Sequence, residues 1–155
     1  MGGGITYFQE NATRLENIAD NSIESLSALC SVEHFGLGRY GDPIEPNAWE
    51  SALKSFQRVL KPKGRLYIAV PVGKEDRLCF NAHRIYKPQT IIDTLDEMRI
   101  LEMSYIPNAL DTIECMKLEN NHLHINQEAL DSIPTISIAN PKEYPTTGLF
   151  AFEKK

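Results

Sequence analysis

The strongest constraint on the fold of this chain is a pair of apolar, strand-length runs joined through one amphipathic helix. Residues 25–32 carry Leu26, Ala28, Leu29, Cys30 and Val32 almost without interruption, the pattern of a central strand covered on both faces. Residues 48–60 place Trp49, Ala52, Leu53, Phe56, Val59 and Leu60 at helical spacing and leave Glu50, Lys54, Gln57 and Arg58 outside. Pro62 and Gly64 stop that helix, and residues 65–70 form a second buried strand. Strand, helix, strand is the βαβ unit, which implies a parallel pair, a right-handed crossover and the α/β class.

Around this unit the signals are shorter. Ile5 to Phe8 reads as a strand, residues 13–19 as a helical turn and residues 19–22 as a turn. Pro88 opens a helix over 88–98 with Ile91, Ile92 and Leu95 on one face, followed by a strand over 99–106. Residues 107–141 read as polar segments, with a turn-like Ala-Asn-Pro-Lys-Glu-Tyr-Pro at 139–145, and residues 148–155 recover strand character. The expectation is one domain over residues 1–155.

Composition excludes several classes. No stretch approaches the roughly 18 apolar residues of a spanning helix, and the N-terminus lacks the basic and apolar regions of a signal peptide, which points to the cytoplasm. A net charge of −5 with scattered cations makes nucleic acid a poor partner. Cys30, Cys79 and Cys115 are far apart and lack CxxC spacing, which argues against a disulfide frame or a zinc knuckle; Cys30 reads as a small core residue.

Between the first strand and the helix lies Glu-His-Phe-Gly-Leu-Gly-Arg-Tyr-Gly-Asp-Pro, residues 33–43. Gly36, Gly38 and Gly41 spell G-x-G-x-x-G, yet a dinucleotide fingerprint needs its helix to open at once, and here Asp42, Pro43 and Pro46 intervene. Two other meanings stand: glycines that shape a tight excursion, or an anion nest of backbone amides.

By position this loop is a candidate site, because ligands of open α/β sheets bind outside the C-terminal strand ends. The loop after the first strand carries Glu33, His34, Arg39, Tyr40 and Asp42; the loop after the second carries Asn81, His83 and Arg84. Parallel neighbours bring both to one rim. His34 and His83 suit general base work near neutral pH, with Glu33 beside His34, and Arg39 or Arg84 suit a carboxylate or phosphate. Alternatively, Glu33 and Asp42 pair with Arg39 and Arg84 and only fix the loops. His122 and His124 share a face if their segment is a strand, but no third metal ligand follows at a recognisable spacing, so a solvated hairpin is expected and no metal site is assigned.

Residues 20–35, followed by a helix ending Arg-Val-Leu-Lys-Pro-Lys-Gly-Arg-Leu-Tyr-Ile-Ala-Val-Pro-Val-Gly, resemble the middle of class I S-adenosylmethionine-dependent methyltransferases. The strings at 33–43 and Phe-Asn-Ala-His-Arg-Ile-Tyr at 80–86 resemble an uncharacterised domain-of-unknown-function family related to those enzymes. The resemblance implies a Rossmann-like methyltransferase sheet, mostly parallel with an antiparallel C-terminal strand. Residues 5–8 would be its third strand, 25–32 its fourth and 65–70 its fifth. It places Asn11 near the adenine and His34 near the acceptor pocket, with methyl transfer to a small-molecule or saccharide acceptor as the implied activity and S-adenosylmethionine as the implied cofactor. The glycine-rich cofactor loop and the acidic residue for the ribose would both precede Ile5, so the resemblance covers the C-terminal two thirds of such an enzyme. The strand at 25–32 would then lack a neighbour. A homo-oligomer or a partner covering that edge is expected, and a non-catalytic assembly module is the alternative function.

Overall fold

A computed structural model of the chain describes residues 4–108, 111–135 and 146–155. In chain order the elements are β1 (Ile23–Leu29), α1 (Ala48–Val59), β2 (Leu60–Pro71), β3 (Arg77–Cys79), β4 (His83–Ile85), α2 (Pro88–Thr94), β5 (Met98–Asn108), β6 (Asp111–Glu119), β7 (His122–Ile125), α3 (Gln127–Asp131) and β8 (Thr147–Lys154). Six strands form one sheet in the order β1-β2-β8-β5-β6-β7, and β3 pairs with β4 in a separate hairpin.

The βαβ unit forms as its pattern requires. β1 and β2 are parallel, in register from Ser25 opposite Arg65 to Leu29 opposite Ala69. β8 lies antiparallel between β2 and β5, so β1, β2, β5 and β7 run one way while β8 and β6 run the other. The result is an α/β fold whose C-terminal strand, β8, runs antiparallel to both of its neighbours.

The apolar stripe of α1 closes one side of the core. Ala52, Leu53, Phe56 and Val59 pack with Leu66, Ile68 and Val70 of β2, Phe150 and Phe152 of β8 and Met103 of β5. Burying each large side chain stabilises the fold by about 1.5–3 kcal/mol. The end of α1 is held by a cation: Lys154 Nζ donates to the carbonyl of Leu60 at 3.0 Å and to Asn21 Oδ1 at 2.9 Å, placing positive charge at the negative end of the helix. Arg58 reaches the other way, donating to the carbonyls of Leu15 (2.8 Å), Ile18 and Arg14 (3.1 Å each). It pins the irregular segment that leads into β1.

Several expectations change. Ile5, Tyr7 and Phe8 are exposed and form no strand, since no ladder partner reaches them among the described residues. Cys30 is exposed, not a core residue: the chain turns there with φ +50° as it leaves the sheet. The helix expected over 88–98 ends at Thr94, because Met98 and Ile100 already alternate into the core as strand residues. The polar region from 107 holds β6, β7 and α3. The turn expected at 139–145 lies outside the described residues. No helix is long and apolar enough to cross a membrane among the described residues.

Candidate functional site

Both expected loops leave the C-terminal ends of β1 and β2 and meet. His34 ends a short 3-10 turn, Val32–His34, and its Nδ1 lies 2.7 Å from the carbonyl oxygen of Ala82 in the second loop. A carbonyl only accepts, so Nδ1 carries the proton and Nε2 presents a lone pair. Glu33 Oε1 is 3.7 Å from that Nε2. Glu33 is buried and its other oxygen has no hydrogen-bond partner; burial pushes its carboxyl above the ordinary range, with the nearby His34 pulling the other way. His83 stands 6.5 Å from His34, ring edge to ring face, and burial followed by the charges of His34 and Arg39 lowers its pKa.

The glycine loop is shaped from within. Asp42 accepts from the amides of Tyr40 (3.1 Å) and Gly38 (3.3 Å), which hold its carboxylate below the usual range. The anion nest is therefore filled by a side chain of its own loop, and the glycines mean shape. Gly36 has φ +71° and lies so close to Glu45 that an added Cβ would stand 2.0 Å from its carbonyl oxygen. Arg39 lies over the Tyr40 ring at 5.7 Å, and Tyr40 meets His34 edge-on at 5.7 Å.

A cavity of about 610 Å³ opens beside this loop, walled by Glu10, Asn11, His34, Tyr40, Asp42 and Glu45. Asn11 is fixed there by its own turn, its Oδ1 accepting from the Thr13 amide at 3.0 Å and hydroxyl at 2.7 Å. So Asn11, His34, Tyr40 and Asp42 line one cavity. Asn81 is exposed and lines no described cavity, and His83 and Arg39 stand back from this one. The expected carboxylate pairing of Arg84 is corrected: it turns inward, donating to the carbonyls of Phe35 (2.5 Å) and Pro46 (3.1 Å), because the loop leaves those oxygens without other partners in the interior. His122 and His124 sit exposed on the β6–β7 hairpin, and no cluster of potential metal ligands occurs among the described residues.

The sequence did not reveal a second cavity, of about 380 Å³, on the other side of Gly36. Trp49, Leu78, Phe80, Arg84 and Tyr86 line it. The signal available was Leu78 and Phe80, two large apolar residues inside an otherwise polar loop.

Among solved structures the chain is similar to the 1,6-didemethyltoxoflavin-N1-methyltransferase of Burkholderia thailandensis, with 13% identity, a TM-score of 0.56 and coverage of 93% of this chain and 48% of that one. It is similar to a SAM-dependent methyltransferase of Methanosarcina mazei, with 13% identity, a TM-score of 0.57 and coverage of 99% and 69%. It is also similar to the cyclase SpnF, with 14% identity, a TM-score of 0.51 and coverage of 92% and 54%. The chain thus spans about half the length of the first and last of these, and identities this low establish the fold alone. No curated protein matches the chain. The family described as Caenorhabditis protein of unknown function, DUF268, matches residues 8–95, more than half of the 155 residues and both loops of the rim; the chain belongs to that family.

Proposed function

We propose that the chain carries the acceptor side of an S-adenosylmethionine-dependent methyl-transfer site, acting on a small molecule with an ionisable hydroxyl or amine. The observation that carries this reading is His34, which lines the 610 Å³ cavity with its Nδ1 tied to Ala82 and its Nε2 free to accept a proton. S-adenosylmethionine, when bound, supplies an electrophilic methyl group on a sulfonium centre. The wall suits such a cation: Glu10, Asp42 and Glu45 line it, and no lysine or arginine does among the described residues. Glu10 and Glu45 would hold the group, their oxygens accepting from hydroxyl and ammonium donors, and Asn11, whose Oδ1 is taken by Thr13, would donate from its side-chain amide. His34 takes the acceptor's proton at Nε2, and the Glu33 carboxyl, 3.7 Å away, stabilises the imidazolium. Tyr40 and the loop shaped by Asp42 form the side of the cavity next to His34.

Isothermal titration of the chain with S-adenosylmethionine and S-adenosylhomocysteine tests this. Binding of both, with the sulfonium tighter than the neutral thioether, is expected; no heat from either sinks the reading.

One observation favours a second reading, an assembly module. Among the described residues β1 is hydrogen-bonded only on its β2 side, and Leu29 and Tyr67 stay 62% and 44% exposed on that end of the sheet. Strand edges of this kind recruit another chain. A clean monomer in light scattering at micromolar concentration counts against self-association through it.

A further inference from the structure

The second cavity differs from the first in character. Its mouth is rich in apolar side chains: beside Asp76 and Arg77, the residues Ile44, Leu78 and Phe80 line it and are 67%, 54% and 69% exposed, an unusual concentration of large apolar side chains around one concavity. Its inner wall holds Trp49, tilted 5.1 Å from the ring of Tyr86. A volume of about 380 Å³ suits a small organic molecule of one or two rings.

Two buried polar groups line this apolar space. Arg84 is buried; its guanidinium donates to the carbonyls of Phe35 and Pro46 and faces the Tyr86 hydroxyl, and among the described residues no carboxylate lies within ion-pair range of it. A buried cation without a counter-charge is costly, and an anion entering beside it recovers that cost. Beside this guanidinium stands Tyr86, 2% exposed, whose hydroxyl is buried without a hydrogen bond of ordinary geometry. Burial holds that phenol above its usual range, so it remains a donor at any working pH. The nearby Asp76 is already engaged, accepting from the Lys87 amide at 2.8 Å and the Thr90 hydroxyl at 2.7 Å.

We infer that this cavity binds a small aromatic carboxylate, its ring between Trp49 and the Leu78–Phe80 mouth and its carboxylate on the Arg84 guanidinium and the Tyr86 hydroxyl. A planar carboxylate has the two oxygens that a guanidinium and a phenol can divide between them. The site shares only Gly36 with the methyl-transfer cavity, and it stands whether or not that cavity binds S-adenosylmethionine.

Trp49 is the only tryptophan in the chain, so intrinsic fluorescence reads this cavity directly. The probe is 2-naphthoate, with 2-naphthamide as its neutral counterpart. The carboxylate is expected to quench Trp49 saturably and to bind about ten-fold or more tightly than the amide, the margin of one charge-assisted hydrogen bond. Tyr86→Phe, which keeps the ring, is expected to remove most of that margin; Phe80→Ser, at the exposed mouth, is expected to weaken acid and amide alike. No saturable quenching at millimolar naphthoate, equal affinity for acid and amide, or an unchanged margin in Tyr86→Phe overturns the assignment. So does a protein-concentration-dependent Trp49 shift without ligand, which marks a second copy as the occupant.

Discussion

His34 Nδ1 lies 2.7 Å from the main-chain oxygen of Ala82, so one imidazole joins the loop after β1 to the loop after β2 and has its tautomer set by the same contact. Tether and base are separable. In His34→Asn the side-chain amide can still donate to Ala82 while Nε2 is gone. We predict that this variant keeps its stability within about 1 kcal/mol, while any methyl transfer falls by about 100-fold or more. His34→Ala should lose both. Urea unfolding together with a labelled-methyl transfer assay distinguishes them.

Arg58 makes hydrogen bonds to the carbonyls of Arg14, Leu15 and Ile18 and an ion pair with Asp20. This clamp fixes the segment that carries Glu10 and Asn11 to the cavity wall. Arg58→Ala is expected to destabilise the chain by about 2 kcal/mol, the range for charged hydrogen bonds at a partly exposed site, and to speed amide exchange over residues 11–20 more than in β2. Uniform exchange across both regions would show that the clamp does not act locally.

Gly36 and Gly41 both have positive φ, but only Gly36 is crowded: an added Cβ meets the Glu45 oxygen at 2.0 Å, whereas nothing lies within 4 Å of one at Gly41. Gly41→Ala should cost about 1–2 kcal/mol, the penalty of the left-handed region alone. Gly36→Ala adds overpacking of about 1–3 kcal/mol and displaces the wall shared by both cavities. Thermal unfolding of the pair gives the difference directly.

The parts that were legible in the sequence are those where one face of an element meets the core. α1, β2 and β8 bury alternating or stripe-spaced residues, and the pattern reports that burial; β1, expected to be covered on both faces, buries only Ala28 and ends the sheet among the described residues. β7 is exposed on both faces, so the alternation of His122, Leu123, His124 and Ile125 marks no buried side, and the β6–β7 hairpin passes for loop. Cys30 shows the opposite failure: an apolar letter at the end of an apolar run leaves the sheet because φ turns positive there. At the rim, position after the first strand's end put His34, Tyr40 and Asp42 on one loop, whereas Asn11, on the same cavity wall, came from the family resemblance. The inward turn of Arg84 depends on carbonyls of Phe35 and Pro46, 49 and 38 residues away, and no local pattern contains it.

Two of the three thiols, Cys115 and Cys30, differ in a way that alkylation can read. Cys115 is buried and its pKa is pushed up to about 11, burial acting first and Glu114 adding to it. Cys30 is exposed, with burial of its sulfur and the charge of Glu33 raising its pKa as well. Iodoacetamide should modify Cys30 in the native chain, faster as pH rises, and Cys115 only after denaturation. Native labelling of Cys115 at pH 8 would mean that β6 opens far more readily than its packing implies.

Glu33 and His83 give stability opposite dependences on pH. His83 has its pKa lowered from 6.5 by burial and by His34 and Arg39, so below 6.5 the unfolded chain takes up a proton that the folded chain resists. Stability is therefore lost as pH falls from 6.5 through the lowered value. Glu33 has its pKa raised from 4.5 by burial, so between 4.5 and the raised value the folded chain holds the extra proton, and stability is lost as pH rises through that window. The two effects oppose each other in mildly acidic solution, and the wild-type profile should be flatter than that of either variant. His83→Gln removes the acid-side loss and exposes the decline on raising pH from 4.5. Glu33→Gln keeps the shape of the buried side chain without its charge, so it should stabilise the chain at pH 8 and leave a profile that only rises with pH between 4.5 and 6.5. Urea midpoints measured from pH 4.5 to 8 for the three proteins check this, and a Glu33→Gln chain less stable than wild type at pH 8 would mean that the ionised Glu33 is bound by a partner its unpaired oxygen does not show.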